Sequence, residues 1–486
     1  MRRTLCWTLL VAVTWSCHDN PASPKSPPPP DPTGSVRLSL DSLTVAVGAQ
    51  LIRLGIQVKD TLGNPITHTV SWASSDRSKA TVDSTGTVQV IGAGAVMIIA
   101  TAGTHADTLP IHSTVFSYSS IAAGADHVCA VTTTQVTVCW GTGGNRDRLG
   151  VPDSGLIASG AVAVQGVPPL ASVAVGREHA CGLTPAGAAW CWGDNSRGQL
   201  GIGATDAEAH EPTAVTGGLT FSALSTGMYT TCGITGVGAA YCWGLDEYGA
   251  TGHGGTGAPA DDSVPLAVSG GITFSGISTG TENTCGVAAD STAYCWGIAA
   301  GGEVGVYPFP GACGAYNYEE FCATPIQVSA TLKFVSISAG TLYTCGVTGT
   351  GAAYCWGVNW SGSLGDSSLA DDSVPALVTG GHVFTAVSNV QSHSCALTAA
   401  GAAYCWGTGG NGGLGNGATL SSTFPVAVSG GHAFASVSAG LFPTCGVTTT
   451  NQAYCWGSNT NAALGVGGYP TPIEIEVTPT LVTGQP

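Results

Sequence analysis

The chain has few charged side chains, and positive charge is the scarcest. Only 9% of its 486 residues are Asp, Glu, Lys or Arg, against about 25% in an average soluble protein. Of 13 Lys and Arg residues, five follow residue 115: Arg146, Arg148, Arg177, Arg197 and Lys333. A nucleic-acid-binding surface needs clustered cations that displace counterions, so we expect no nucleic-acid partner.

No hydrophobic run is long enough to span a membrane. The longest, residues 90–100, is rich in β-branched residues and glycine and predicts buried strands. A shorter apolar segment, residues 4–13, follows Met1-Arg2-Arg3 and predicts a signal peptide over residues 1–17. The chain is therefore predicted to be exported to the cell envelope, the outer surface or the extracellular medium.

The end of this signal peptide resembles a lipobox. Thr14-Trp15-Ser16 precedes Cys17, and we expect Cys17 to carry a lipid; simple cleavage and release is the alternative. A proline-rich linker, residues 18–34, follows and includes four consecutive prolines. A lipid on Cys17 would be the only link to a membrane, with the linker holding later domains away from its surface.

Cysteine and tryptophan recur at regular spacing after residue 115. The motif Cys-x9-Cys-Trp-Gly occurs seven times, and its second cysteine recurs every 50 to 60 residues, a period that suits four-stranded propeller blades. We number these copies repeats 1 to 7. The sequence therefore predicts an all-β fold in which residues 116–486 form a seven-bladed β-propeller.

Each repeat predicts a β-hairpin with its two cysteines on facing strands. Zinc sites favour close-set pairs such as Cys-x2-Cys, and these repeats have none. Regularly spaced cysteine pairs in an exported chain indicate structural disulfides, so one disulfide per blade is predicted. The pairs are Cys129–Cys139, Cys181–Cys191, Cys232–Cys242, Cys285–Cys295, Cys345–Cys355, Cys395–Cys405 and Cys445–Cys455. The adjacent tryptophans are interpreted as core between blades, packed against the next blade.

These repeats resemble the RCC1 (regulator of chromosome condensation) repeat family, whose members form seven-bladed propellers. The resemblance is strongest at residues 189–201, AWCWGDNSRGQLG, and departs in repeat 3, where Thr251-Gly252 replaces Leu-Gly. His127, His179 and His393 stand two residues before the first cysteine, where this family often has histidine. Other repeats have Thr, Asn, Tyr or Pro there, so a structural hydrogen bond is favoured over catalysis.

Residues 35–115 show a different pattern, with apolar and polar residues alternating at period two between turn signals. This predicts an Ig-like β-sandwich. The stretches LTVAVG, DTLGNP, WASSD and ATVDSTG resemble the bacterial Ig-like group 2 (BIG2) family. Such domains serve as spacers or adhesive modules, and Trp72 is interpreted as a core residue.

The C-terminus carries Pro479-Thr480-Leu481-Val482-Thr483-Gly484, a copy of the segment that precedes each inner repeat. Repeat 1 starts at Phe116 without such a copy. We expect the C-terminal strand to complete the blade that begins at residue 116 and so close the ring.

The repeat pattern breaks between residues 306 and 324. This insertion brings a further cysteine pair, Cys313 and Cys322, and a group of aromatic residues. A disulfide would make the loop rigid, and aromatic residues on a rigid loop suit partner binding; a loop folded on itself is the alternative. The candidate partner-binding residues are Tyr307, Phe309, Tyr316, Tyr318 and Phe321.

The sequence has no recognised catalytic motif, so we expect neither enzyme activity nor a cofactor. Asp261-Asp262 and Asp371-Asp372 occupy equivalent places, but two carboxylates do not complete a calcium shell, and solvated loops are favoured. The function predicted is a monomeric, surface-tethered scaffold that binds an extracellular protein or glycan. A guanine-nucleotide exchange factor and a secreted inhibitor resembling the propeller-type β-lactamase inhibitory protein are the alternatives.

Overall fold

The computed structural model describes residues 31, 33–152, 155–205, 209–255, 260–311, 313–467 and 475–486. The predicted signal peptide, Cys17 and nearly all of the predicted linker lie outside these residues. In the described part every regular element is a β-strand or a short 3₁₀ turn, and no helix is long and apolar enough to cross a membrane. The all-β prediction is confirmed.

The N-terminal Ig-like domain contains nine strands. Strand β1 pairs with β4, while β2 runs parallel to β9, which continues through β8 to β5. Along β8 the side chains of Val96, Ile98, Ala100 and Ala102 are buried in alternation, as its period-two pattern requires. The strands are β1 (Thr33–Leu38), β2 (Leu43–Ala46), β3 (Gln50–Ile52), β4 (Ile56–Asp60), β5 (Ser71–Ser74), β6 (Ala80–Val82), β7 (Val88–Val90), β8 (Gly94–Ala102) and β9 (His105–Thr114).

Each repeat folds into an antiparallel meander whose four main strands follow chain order from the ring centre outward. Repeats 2 to 7 form six separate sheets, the blades of a β-propeller, whereas the meander of repeat 1 continues into the Ig-like strands.

The first three repeats have four strands each. Repeat 1 has β10 (Tyr118–Ala123), β11 (His127–Thr132), β12 (Thr137–Thr142) and β13 (Ile157–Ala163); repeat 2 has β14 (Ser172–Val175), β15 (His179–Leu183), β16 (Ala189–Asp194) and β17 (Ala209–Ala214); repeat 3 has β18 (Phe221–Thr226), β19 (Thr230–Thr235), β20 (Ala240–Leu245) and β21 (Asp261–Ala267).

Repeat 4 has one extra strand, and repeats 5 to 7 return to four. The strands are β22 (Phe274–Thr279), β23 (Asn283–Ala288), β24 (Ala293–Ile298), β25 (Gly314–Tyr316) and β26 (Glu319–Gln327) in repeat 4; β27 (Phe334–Ala339), β28 (Tyr343–Thr348), β29 (Ala353–Gly357) and β30 (Asp372–Leu377) in repeat 5; β31 (Phe384–Asn389), β32 (His393–Thr398), β33 (Ala403–Gly407) and β34 (Ser422–Ala427) in repeat 6; and β35 (Phe434–Ala439), β36 (Pro443–Thr448), β37 (Ala453–Ser458) and β38 (Ile475–Leu481) in repeat 7. Short 3₁₀ turns lie at Glu247–Gly249, Trp360–Gly362 and Thr460–Ala462.

Eight cysteine pairs lie at disulfide distance. In each repeat the two cysteines of the motif stand directly opposite one another on the second and third strands, as in Cys345 and Cys355, with their Cα atoms 4.1 Å apart. The other repeats have the same Cα separation. The eighth pair, Cys313 and Cys322, joins the inserted strands of repeat 4. These are the sixteen cysteines that the sequence assigns to disulfides.

The repeated tryptophans form the core between neighbouring repeats, as predicted, but they face the preceding repeat and not the next one. Trp356 of repeat 5 packs in one cluster with Cys285 and Cys295 of repeat 4. Its indole Nε1 donates to the carbonyl oxygen of Glu303 at 2.9 Å. Every repeat makes this bond at 2.9–3.2 Å: Trp140 to Ala463, Trp192 to Arg148, Trp243 to Gln199, Trp296 to Ala250, Trp356 to Glu303, Trp406 to Ser363 and Trp456 to Gly413.

The bond from Trp140 to Ala463 joins repeat 1 to repeat 7, so the repeats form a closed ring. The expected closure by the C-terminal strand is wrong. Strand β38 is the outer strand of repeat 7, and repeat 1 supplies its own fourth strand, β13. The backbone of Leu441 donates to Gly124 at 2.9 Å, as neighbouring inner turns do elsewhere in the ring. Closure therefore needs no exchanged strand.

The Ig-like domain shares its core with repeat 1. Strand β13 pairs on its outer side with β2 and β3, through Val162 opposite Val45 and Ile157 opposite Ile52. One hydrophobic cluster extends from the Ig-like residues to Cys129, Cys139 and Trp192. Residue 115 thus separates two sequence patterns, but the hydrophobic core is continuous across it.

Candidate partner-binding face

In the part of the chain that the structure describes, the longest connection of each repeat, from its third to its fourth strand, starts and ends on one face of the ring. In a four-stranded antiparallel meander, the turn from the first to the second strand and the loop from the third to the fourth strand are at the same end. The insertion after β24 and the loops before β21 and β30 are of the second kind. We call this end of the ring the loop face. It gathers the inserted aromatic residues and the acidic pairs that the sequence singled out.

A central cavity of about 430 Å³ is lined by the innermost strands and turns of all seven repeats. Its walls are mostly Gly, Ala, Ser and Thr, and small residues are needed because the inner turns touch. A side chain at Gly227, for example, would place its Cβ 2.0 Å from the carbonyl oxygen of Gly280. Arg177 is the one titratable residue among the described lining residues. This lining supplies no acid–base pair.

Serines join the inner strands of five neighbouring repeat pairs. The hydroxyl of Ser338 accepts the backbone N–H of Asn389 at 3.0 Å, and Ser225, Ser278, Ser388 and Ser438 accept from the next repeat in the same way. Repeats 1 and 2 have Ala122 and Ala174 at this position. Serine hydrogen bonds therefore join neighbouring inner strands around the ring, except between repeats 1 and 2 and between repeats 2 and 3.

Between repeats 1 and 2, ion pairs take the place of the missing serine hydrogen bond. Arg146 Nη1 lies 3.0 Å from Asp194 Oδ1, and Arg148 pairs with Glu178, so both arginines bond from repeat 1 to repeat 2. Arg148 also pairs with Asp126 of its own repeat. Two of the five cations after residue 115 thus stabilise a contact between repeats, where their partners neutralise them.

The buried histidines beside this inner ring have mainly structural contacts. His179 and His393 are fully buried, and their Nε2 atoms lie 2.8 Å from the hydroxyls of Thr231 and Thr444 in the next repeat. Burial lowers the pKa of each to about 4, so both are neutral near pH 7. His127 is equally buried, but repeat 2 offers Ala180 in place of a hydroxyl, and no described residue bonds its ring nitrogens.

The insertion in repeat 4 forms a two-stranded hairpin. Strands β25 and β26 pair through Tyr316 and Glu319, and the turn residues Asn317 and Tyr318 have positive φ angles of 50° and 69°. The Cys313–Cys322 pair closes the hairpin near its base. Tyr318 at the tip is fully exposed, and Tyr307 is 66% exposed. These two rings are presented to solvent on a stapled support.

The other three candidate aromatics help to build this support. Phe321 is buried, and Phe309 is half-buried against the cluster that contains Cys322 and Trp356. Tyr316 contacts Tyr248 of repeat 3 edge to face, with ring centroids 6.3 Å apart. Of five predicted partner-binding side chains, Phe321 is therefore corrected to a core residue. The sequence pattern could not separate it because buried and exposed residues alternate along a hairpin.

Four acidic residues, Glu247, Glu282, Glu303 and Glu319, lie close together in or near the hairpin. Burial, together with the charges of Glu247 and Glu319, raises the pKa of Glu282. Burial raises the pKa of Glu303 to about 7, with smaller contributions from the charges of Glu282 and Glu319. Tyr318, which precedes Glu319 in the hairpin, thus stands beside a group of carboxylates whose negative charges repel one another.

The acidic pairs of the sequence do not act as pairs. Asp261 Oδ1 lies 3.7 Å from Arg197, whereas Asp262 Oδ2 lies 2.7 Å from His253 Nε2. In repeat 5, Asp371 accepts the backbone N–H of Asn359 at 2.7 Å. The carboxylates of Asp261 and Asp262 have different partners, which is expected because successive side chains of a strand point to opposite sides. His253 was not predicted as a site residue.

Comparison with protein families agrees with both sequence resemblances. Residues 32–112 match the bacterial Ig-like domain (group 2). Residues 171–199, 186–234 and 434–462 match the regulator of chromosome condensation (RCC1) repeat. The prediction that RCC1 repeats follow a BIG2 domain is confirmed.

Curated relatives share the repeat region. The ultraviolet-B receptor UVR8 of Arabidopsis thaliana is 29% identical over 262 residues, which are 53% of this chain and 57% of UVR8. The mitochondrial RCC1 domain-containing protein RUG3 of the same plant is 27% identical over 242 residues, 46% of this chain and 51% of RUG3. The chain thus spans little more than half the length of these relatives.

Solved structures show the same fold. Human WBSCR16 aligns with a TM-score of 0.58 at 20% identity, covering 70% of this chain and 89% of WBSCR16. Yeast RCC1 (Prp20), solved with Kap60 bound, aligns with a TM-score of 0.59 at 18% identity, covering 76% of this chain and 85% of Prp20. These likenesses establish an RCC1-like propeller.

Proposed function

We propose that this chain, in which RCC1 repeats follow a bacterial Ig-like domain, is an exported, non-catalytic scaffold that binds a partner protein through its loop face. One observation carries the proposal. The largest departure from the repeat is the insertion in repeat 4, which presents Tyr318 at the tip of a stapled hairpin and Tyr307 in the segment before it to solvent on that face. Exposed aromatic side chains on a rigid support are typical anchors of protein interfaces, because little conformational entropy is lost on binding.

A seven-bladed ring with one disulfide per blade is part of this proposal. The seven tryptophan hydrogen bonds, which link each repeat to the one before it and repeat 1 to repeat 7, support the blade count. The cysteine pairs at disulfide distance support the bonding pattern. Mass spectrometry of the unreduced protein after proteolysis would test it, since every cross-linked peptide pair has a known mass.

The partner that this site fits is a protein segment with positive charge. Glu319 belongs to the aromatic hairpin, Glu282 lies near Glu319, and the formal net charge of the chain is −16. Lys and Arg side chains would pair with the carboxylates and stack on the tyrosines. Protein partners are also named for a relative, since yeast RCC1 was solved with Kap60 bound. A glycan partner is the alternative outcome.

The cysteine pairs support export. Eight pairs lie at disulfide distance, and disulfides form and persist in oxidising compartments such as the periplasm or the extracellular medium. We propose that Cys17 anchors the chain by a lipid and that the chain is monomeric. Metabolic labelling with a palmitate analogue would test the anchor: label in the natural protein and none in Cys17→Ser is expected, and equal label in both excludes it.

The exchange-factor and inhibitor hypotheses remain alternatives. The fold likeness to yeast RCC1, at 18% identity, gives no support to a shared activity. Acceleration of nucleotide release from a small GTPase by the purified chain would favour the first alternative. Stoichiometric inhibition of a β-lactamase would favour the second.

The binding proposal is tested by placing a photo-crosslinking amino acid at single positions of the full chain in envelope extracts. We expect a discrete crosslinked protein from position 318, at the hairpin tip. Position 237 is the matched control, because Val237 is also exposed, at 83%, but lies on the turn between β19 and β20 at the opposite end of the ring. The same crosslinks from both positions would contradict a specific loop face.

A further inference from the structure

Repeat 3 brings one histidine and two aspartates together at the loop face. His253 Nε2 lies 2.7 Å from Asp262 Oδ2 and 3.5 Å from Asp246 Oδ2. All three ligand atoms lie within 4.8 Å of one another. Asp246 is almost completely buried, while His253 and Asp262 are partly open to solvent. We propose that these three residues form a binding site for a divalent transition-metal ion of the Zn²⁺ type.

The other repeats show that the buried carboxylate is a departure. At the position of Asp246, repeats 2, 5 and 7 have Asn195, Asn359 and Asn459, and each Asn Oδ1 accepts a backbone N–H five residues on. Asp246 Oδ1 keeps this bond, to Thr251 at 3.0 Å. Its second oxygen, however, replaces the amide nitrogen that in Asn195 and Asn359 donates to a loop carbonyl. Repeat 3 thus has a carboxylate oxygen, a hydrogen-bond acceptor, where repeats 2 and 5 have an amide N–H donor.

Two further departures stabilise this acceptor. Thr251, which replaces the leucine of the repeat, donates its hydroxyl to Asp246 Oδ1 at 2.7 Å. His253 occupies the place of Ile202 in repeat 2 and Val466 in repeat 7. Its main chain is fixed on both sides: the His253 carbonyl accepts from Ser269, and Gly254 donates to Ala323 of repeat 4. Three changes from the repeat thus converge on one cluster.

The donor set selects the class of metal. Imidazole with carboxylates suits zinc and neighbouring transition metals, whereas Ca²⁺ takes an all-oxygen shell of six to eight ligands. A tetrahedral shell with bonds of about 2.0–2.1 Å separates neighbouring ligand atoms by roughly 3.3 Å. The distances of 2.7 and 3.5 Å on either side of His253 Nε2 bracket this value. Three protein ligands leave one position for water or a partner's side chain.

A divalent cation between Asp246 and Asp262 would also offset the repulsion of two carboxylates that both lie close to His253 Nε2. Since Gly254 is bonded to Ala323 of repeat 4, the metal would also fix the loop beside the aromatic hairpin.

The test measures Zn²⁺ binding by calorimetry to the tagless full chain after treatment with a chelator. We expect one saturable site per chain, and Co²⁺ in its place should give the visible absorption of a tetrahedral complex. Asp246→Asn restores the residue of the other repeats, and His253→Ile restores that of repeat 2, so both variants should fold. Each should weaken Zn²⁺ binding at least about 100-fold, since loss of an outer partner alone costs about 10–100-fold.

Asp372→Asn is the matched control, because Asp372 occupies in repeat 5 the register position of Asp262 opposite the motif glycine. It should leave the affinity unchanged. Circular dichroism of each variant would show that the fold is kept. The proposal is overturned if no saturable site for Zn²⁺ or Co²⁺ is found, or if Asp246→Asn and His253→Ile bind as tightly as the natural chain.

Discussion

Replacement of Trp140 by Phe probes the contact that closes the ring. Trp140 is fully buried and donates its Nε1–H to the carbonyl of Ala463 in repeat 7 at 3.0 Å. Phenylalanine removes the donor and leaves that buried carbonyl unpaired, which costs about 1–3 kcal/mol. The smaller ring also loses a few buried heavy atoms, worth about 1–2 kcal/mol. We expect the free energy of unfolding to fall by about 2–5 kcal/mol.

The assay is urea unfolding of the full chain under oxidising conditions, followed by tryptophan fluorescence and circular dichroism. Trp192→Phe is the matched control, because Trp192 makes the same bond at 3.2 Å to the carbonyl of Arg148 between repeats 1 and 2, which are neighbours in sequence. The residues opposite the two tryptophans, Val128 and Ala180, have no hydroxyl that could take over the bond. If the ring is closed, both substitutions destabilise the protein by similar amounts. A near-neutral Trp140→Phe beside a costly Trp192→Phe would refute closure between repeats 7 and 1.

Two further predictions concern stability. The first replaces both Cys345 and Cys355 by Ser, which opens one closed loop. By the chain-entropy model, the free energy of unfolding should fall by about 3 kcal/mol in the same urea assay. No change would show that the pair is not bonded. Glu303 has its pKa raised from 4.5 to about 7 in the folded chain, so the folded state binds the proton more tightly than the unfolded state. The stability of the natural chain should therefore fall as the pH rises from about 4.5 to 7. Glu303→Gln should be more stable than the natural chain by about 2–3 kcal/mol at pH 8 but not at pH 4. If the variant and the natural chain were equally stable at both pH values, the burial of this carboxyl would be contradicted.

The sequence predicts those features of the fold that every repeat needs. Cys345, Cys355 and Trp356 recur with fixed spacing because each repeat must place a cysteine pair across a hairpin and an indole against its neighbour. The repeat pattern does not predict features that are found in one repeat alone. Strand β13 has Ala161 in place of the proline that begins Pro-x-x-Val in every other outer strand, and it pairs with β2 and β3. The C-terminal strand was therefore assigned to the wrong repeat.

The candidate sites were predicted less completely, for two physical reasons. In the insertion, composition indicates aromatic residues but does not show which side of the hairpin faces the core, so Phe321 and Tyr318 look alike. The cluster at Asp246 and His253 brings residues from a long loop to the start of β21, and no local spacing motif describes it. The signal that could have found it is the comparison between repeats, where Asp246 replaces Asn.

The most direct test of the proposed function is the affinity of the crosslinked partner, once purified, for three forms of the chain. We predict that the double variant Tyr307→Ala and Tyr318→Ala binds at least about tenfold more weakly than the natural chain, because hot-spot aromatics contribute about 2 kcal/mol or more each. Val237→Ala, on the opposite face, should bind as tightly as the natural chain. Equal affinity of all three forms would contradict binding through the aromatic hairpin.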